Sequence, residues 1–190
     1  PPGQPPMPSP SAEAHILEED GLAAILELLK RRPLLAGEQD VRLSLAGAQD
    51  KLAVRVADGK LALMKGGLPT THILKPAISD YEGSAHNEMF CLKLAAMAGL
   101  PVPDVALRHC AGTPYLLIAR YDRFWDNGQV RRLHQEDFCQ ALSIPPERKY
   151  EREGGVSIAQ GMELLARHSG RAASDRLQFL RMLMFHYLTG

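Results

Sequence analysis

Cysteine is scarce: the 190 residues hold three, Cys91, Cys110 and Cys139, far apart and odd in number. They form no CxxC pair and stand at no His/Cys spacing that suits zinc, which argues against a disulfide framework and for a reducing, cytoplasmic compartment. Net charge is missing as well, since 22 basic and 22 acidic residues cancel. The chain therefore lacks the electrostatic footprint for sequence-independent nucleic-acid binding by itself. No apolar run approaches the ~18 residues of a membrane span, and no signal-peptide pattern appears. No initiator methionine opens the chain; it starts "PPGQPP" and reads as a fragment of something longer.

What is present is the composition of a globular protein, 45% hydrophobic and 23% charged, long enough for one well-buried domain or a small two-lobed one. Six of the 14 prolines fall within Pro1–Pro10. Residues 1–14 have almost nothing to bury and read as a disordered or polyproline-like leader. Over 15–36, "ILEEDGLAAILELLKRR" predicts a helix from Ile16 to Arg32. Acids stand at its start, bases at its end, and Leu22, Ile25, Leu26 and Leu29 form one apolar face.

The period then changes. Leu52, Val54 and Val56 alternate, Ala57-Asp58-Gly59 turns, and Leu61 and Leu63 resume, a hairpin pattern. "THILKP" reads as a third strand closed by Pro76. "NEMFCLKLAAMAGLPVP" reads as a helix with Met89, Leu92 and Ala96 on one stripe, stopped by Gly99 and Pro101. Two more strands flank Ala111-Gly112-Thr113-Pro114. After Asp126-Asn127-Gly128 the chain reads as helical around "HQEDFCQAL", "SIAQGMELLARH" and "DRLQFLRMLMFHYLT", with "FLRMLMFHYL" as core. Strands with one helix, then helices only, predict a two-lobed α+β protein.

Several positions could carry chemistry. Lys75 shares a strand face with Thr71 and Ile73; it either snorkels to water from an edge or meets a carboxylate or phosphate, because a buried lysine is otherwise costly. Glu88 is the carboxylate at hand, although in the first turn of the next helix it would equally offset the macrodipole. "AGAQDK" is not a Walker loop. Gly47 lets the backbone approach a ligand, neighbouring N–H groups can form an anion-binding concavity, and Lys51 adds charge; a plain turn fits the spacing too. "ARYDR", Ala119 to Arg123, links the strand-rich half to the helical half. The seven histidines form no ligand pair at helical spacing.

Taken in order, "RLSLAGAQDK", "PTTHILKP", "NEMFCLKLAAMAGLPVPD", "LLIARYDR", "RLHQEDFCQAL", "KYE" with a following "GG", and "FLRMLMFHYLTG" resemble the HipA-type serine/threonine kinases, toxins of bacterial toxin–antitoxin systems. The resemblance runs from about Val41 to Gly190. It implies a two-lobed, protein-kinase-like α+β fold, with an antiparallel-sheet N-lobe over 37–122 and the start of a helical C-lobe over 123–190. It places Gly47, Ala48, Gln49, Asp50 and Lys51 over ATP phosphates and makes Lys75 the nucleotide-binding strand lysine, with Glu88 its partner by analogy with protein kinases. Ala119, Arg120 and Tyr121 match the adenine-reading hinge, where the family typically has Glu at the position of Ala119; Asp122 and Gln135 match ribose contacts. Ser44 matches an autophosphorylated serine.

In the family, a T-D-x-H-x-K-N catalytic loop and a metal-binding Asp follow the position of Gly190. The catalytic base and magnesium ligands are therefore expected outside these residues, and the 190 residues alone are expected to be inactive. The resemblance further implies ATP and Mg2+ as cofactors, an aminoacyl-tRNA synthetase as the kind of protein substrate, and a DNA-binding antitoxin of the HipB type as partner, with DNA contacted only through it. The competing expectation is a non-catalytic nucleotide-binding or antitoxin-binding corepressor module.

Overall fold

The computed structural model describes residues 13–29, 49–148 and 150–189. Residues 1–12 of the expected leader, Lys30–Arg32 at the end of the expected first helix, and Ser44, Gly47 and Ala48 lie outside the described residues; the leader's last residue, Ala14, is corrected to strand.

The first helix starts later than its apolar pattern suggests. Ile16 and Leu17 belong to a strand, β1 (Ala14–Leu17), and the helix α1 runs over Glu19–Leu29. The reason is an available partner: β1 pairs antiparallel with β3 (Lys60–Met64), with Ile16 opposite Ala62 and Leu17 opposite Leu61. Glu19 and Asp20 then occupy the first helical turn, where carboxylates favour the positive end of the dipole. Leu22, Leu26 and Leu29 are buried and Ile25 is half-buried.

Four further strands join these: β2 (Leu52–Ala57), β4 (His72–Pro76) and the pair β5 (Val105–Cys110) and β6 (Thr113–Ala119). The six-stranded sheet has the order β1-β3-β2-β4-β6-β5, antiparallel where strands pair. Its hairpins turn on dipeptides with both residues at positive φ, Asp58-Gly59 (50° and 77°) and Ala111-Gly112 (47° and 76°), the backbone that matches the twist of the flanking strands. Register aligns Leu52, Leu74 and Leu117 in one row. These three, Val54, Leu61, Cys110 and Tyr115 cluster with the α1 leucines as the core. The Cys110 thiol, pushed up by burial and by nearby Glu19 and Asp20, donates to the Glu19 carbonyl and ties β5 to α1. Strand alternation sends Ile73 and Lys75 to the opposite face from Leu74.

Helix α2 spans Ser84–Met97, starting earlier than the sequence pattern suggested, and Ala96 of its expected stripe is exposed. The segment after Tyr121 holds a second, two-stranded sheet that the sequence did not announce, β7 (Arg123–Asp126) and β8 (Gln129–Arg132). Residues up to Leu94 together with Val102–Leu133 form one compact unit; Ala95–Pro101 together with His134–Gly190 form another. The hairpin is tied to the first unit: Arg123 Nε donates to the Thr70 carbonyl (3.1 Å) and Arg132 Nη2 to the Gly67 carbonyl (2.6 Å).

In the second unit lie α3 (Phe138–Ala141), α4 (Ile158–His168) and α5 (Ala172–Thr189). Reciprocal side-chain bonds between Ser157 and Gln160 cap α4. Phe138 and Phe179 meet edge-to-face at 5.3 Å. The reading of "FLRMLMFHYL" as core is corrected: α5 has no buried residue, and Leu180, Met182, Met184, Tyr187 and Leu188 are exposed. Its apolar residues go all the way round the helix, whereas its described neighbours half-cover only a narrow stripe.

Candidate functional site

The sheet face opposite α1 carries Lys75. Its Nζ lies 2.6 Å from Oε1 of Glu88 on α2, with the two side chains only 19% and 28% exposed. Because α2 begins at Ser84, Glu88 stands in the second turn, one turn too far in for dipole compensation to be its main role. A short pair withdrawn this far from water fixes the ammonium in one place, which a snorkelling lysine would not need.

The end of the "AGAQDK" stretch reaches the same strand. Gln49 Nε2 donates to the carbonyl of Pro76, the residue after Lys75, at 3.3 Å. Asp50 is half-buried and Lys51, immediately before β2, is buried at 6% exposure. Gln49, Lys75 and Glu88 are thus brought together.

The other cluster is built around Asp122. Arg120 grips its carboxylate with two nitrogens, Nε at 3.0 Å and Nη2 at 2.8 Å, while Nη1 reaches the Thr70 hydroxyl at 3.3 Å. Arg123 Nη1 adds bonds to Asp122 Oδ2 (2.6 Å) and to its carbonyl (2.8 Å). Burial alone would push the Asp122 carboxyl up, but the hydrogen bonds and charges of Arg120 and Arg123 outweigh it and hold the group below its ordinary value. Thr70, Arg123 and Arg132 were not singled out in the sequence. The signal was there in "RYDR", an acid with arginines two before and one after, but which face each would take depends on strand register.

At the proposed hinge, the Ala119 amide donates to the Asp104 carbonyl (2.8 Å) and the Arg120 amide to the Thr71 carbonyl (2.9 Å). Tyr121 is 71% exposed. Gln135 is exposed and belongs to the second unit. Among the described residues no group of three or more His, Cys, Asp or Glu side chains could hold a metal ion. No helix among them is long and apolar enough to cross a membrane.

The family of HipA-like C-terminal domains matches residues 43–190. A putative kinase of Sinorhizobium fredii is 48% identical over 184 residues, 96% of this chain and 44% of its own length. The serine/threonine-protein kinase toxin HipA of Shewanella oneidensis is 32% identical over 161 residues, 78% of this chain and 37% of its own. Among solved structures, the Shewanella oneidensis complex of HipA, HipB and operator DNA superposes with a TM-score of 0.80 at 28% identity, covering 100% of this chain and 46% of the matched one. The chain spans less than half the length of these relatives. The fold is the α+β, kinase-like one of HipA. With a family match that takes in Gln49, Lys75, Glu88 and the Arg120–Asp122 bridge, the chain belongs to the HipA-like C-terminal domain family.

Proposed function

We propose that these residues form the nucleotide-recognition part of an ATP-dependent serine/threonine kinase of the HipA type. The observation that carries this reading is the Lys75–Glu88 pair at 2.6 Å, with Gln49 tied to the adjacent Pro76 carbonyl. A lysine held by a carboxylate offers a fixed point charge for phosphate oxygens, and phosphoryl transfer depends chiefly on such positioning and charge stabilisation. When bound, ATP supplies the γ-phosphoryl group. Lys75 orients it, Glu88 holds Lys75, and Gly47, Ala48, Gln49, Asp50 and Lys51 cover the phosphates. Ala119, Arg120 and Tyr121 border the base.

Asp122 fits a ribose contact less well than a supporting one, since both its oxygens already accept from arginines. The described residues do not offer a magnesium site, so no step is assigned to that ion. In the whole protein this reading extends to a protein hydroxyl as acceptor, on a translation component such as an aminoacyl-tRNA synthetase, to autophosphorylation at Ser44, and to a HipB-type antitoxin as partner.

The test is calorimetric titration of the 190-residue chain with ATP and magnesium. Lys75→Ala is expected to weaken binding at least about tenfold, equivalent to ~1.4 kcal/mol, with circular dichroism unchanged. Equal affinity for Lys75→Ala and the unmodified chain refutes the assignment.

A further inference from the structure

The base of the β7–β8 hairpin carries a charge imbalance that nucleotide recognition at Lys75 does not use. Register places Arg123 directly opposite Arg132, so the two share one face of the hairpin. Arg120 approaches through Asp122, which makes three guanidinium groups around one carboxylate. Both Asp122 oxygens are taken by Arg120 and Arg123. Arg132 donates to the Gly67 carbonyl, a dipole and not a counter-charge. On the opposite face of the hairpin the account is even, because Arg131 pairs with Asp126 at 3.2 Å. Arg55 reaches the same face, its guanidinium 5.5 Å from the centre of the Trp125 ring, so among the described residues this face carries more positive than negative charge.

We propose that this face is a binding site for a phosphate monoester dianion, gripped by Arg132 and Arg123 with the Arg120–Asp122 bridge behind them. The surplus of positive over negative charge suits a doubly charged anion. The planar forks of arginine fit tetrahedral phosphate oxygens better than a lysine point charge would. The arginines are already partly withdrawn from water, Arg123 with 11% of its side chain exposed, so an arriving anion meets little screening. Burial, and then repulsion from Arg120, lowers the proton affinity of both Arg123 and Arg132, the signature of cations held close together. The anion-facing arginines, Arg123 and Arg132, are not among the residues assigned to the nucleotide; only Arg120, which borders the base, stands behind both. Lys75 lies opposite Leu116 on β6, four residues before Arg120, or about 13 Å along a strand.

The experiment is thermal unfolding and calorimetry on the 190-residue chain at pH 8 and fixed ionic strength. The probes are sodium phosphate, sodium chloride, and a short peptide bearing one phosphoserine. Phosphate is expected to raise the unfolding midpoint above that in chloride, and Arg132→Gln to weaken phosphate binding about tenfold. Arg132→Lys keeps the charge without the fork and is expected to fall between, a second variant should Arg132→Gln fold poorly. Arg131→Gln, whose charge is paired with Asp126 on the opposite face, is expected to leave phosphate binding intact. Tighter binding of the phosphopeptide than of free phosphate marks the natural ligand as a phosphorylated side chain; equal binding marks it as the free anion. An effect that chloride reproduces, that survives both Arg132 variants, or that disappears with Arg131→Gln overturns the proposal, while the nucleotide reading stands or falls on ATP binding alone.

Discussion

Replacing Asp122 tests how much the first unit relies on its buried charge cluster. The carboxylate is 9% exposed and accepts three side-chain bonds, at 2.6, 2.8 and 3.0 Å. Asp122→Ala leaves Arg120 and Arg123, 14% and 11% exposed, with no carboxylate between them. Removing one partner of a buried ion pair costs about 3–5 kcal/mol. The lower end applies here, because both guanidiniums keep another partner, the Thr70 hydroxyl for Arg120 and the Thr70 carbonyl for Arg123. A loss of about 3 kcal/mol at a urea slope of about 2 kcal/mol/M moves the midpoint down by about 1.5 M. Asp122→Asn keeps the shape and one acceptor and is expected to lose less.

The pH dependence gives a second reading of the same group. Its folded-state pKa is depressed below the ordinary 3.8, so its contribution is complete above that value and lost as pH falls through the lower, folded-state one. The stability gap between the unmodified chain and Asp122→Asn is therefore expected to be constant from pH 8 to 5 and to close under acid. A loss under about 1 kcal/mol for Asp122→Ala, or a gap that widens as pH falls below 3.8, refutes the reasoning.

Three further outcomes are expected, the first two from local geometry and the third from charge. Ala111 sits at φ 47° in the β5–β6 turn, a conformation that costs an alanine roughly 1–2 kcal/mol; Ala111→Asn is expected to raise the urea midpoint, and an unchanged or lower one argues against strain there. A Cβ on Gly161 would stand 3.3 Å from the Phe179 ring and 3.4 Å from Phe138. Overpacking of that kind costs about 1–3 kcal/mol against about 1 kcal/mol gained in helix propensity, so Gly161→Ala is expected to destabilise the second unit, and a net gain in stability refutes the contact. A phosphate on Ser44 would add roughly −1.5 to −2 charges beside the proposed phosphate-binding loop. Ser44→Asp is accordingly expected to bind ATP more weakly than Ser44→Ala, and equal affinities leave Ser44 an ordinary hydroxyl.

Those parts of the fold that rest on local pattern were legible. Leu52, Val54 and Val56 alternate and pair as read, and Asp58-Gly59 and Ala111-Gly112 mark their turns. The third hairpin escaped notice although its turn, Asn127-Gly128 at φ 47° and 75°, was seen. Its strands, "RFWD" and "QVRR", are too short and too charged to show a period of two, and they form because arginines anchor them to the carbonyls of Thr70 and Gly67. β1 was hidden for the opposite reason: Ile16 and Leu17 continue the apolar pattern of α1, and only the edge of β3 draws them away. In α5 the composition was read correctly as apolar and the burial was not, because burial belongs to the neighbours and not to the helix.

The candidate site divides along the same line. Lys75 could be picked out because alternation on one strand fixes its face, but which carboxylate would meet it depends on where α2 begins. Once Ser84 opens that helix, Glu88 is carried into the second turn and onto the lysine. The proposed hinge shows the converse. Its backbone donors at Ala119 and Arg120 are consumed by Asp104 and Thr71, so any backbone contact these two residues make with a ring is made as acceptors. A carbonyl is indifferent to the side chain on its own residue, which accounts for how alanine can stand at position 119 where the resemblance leads one to expect glutamate.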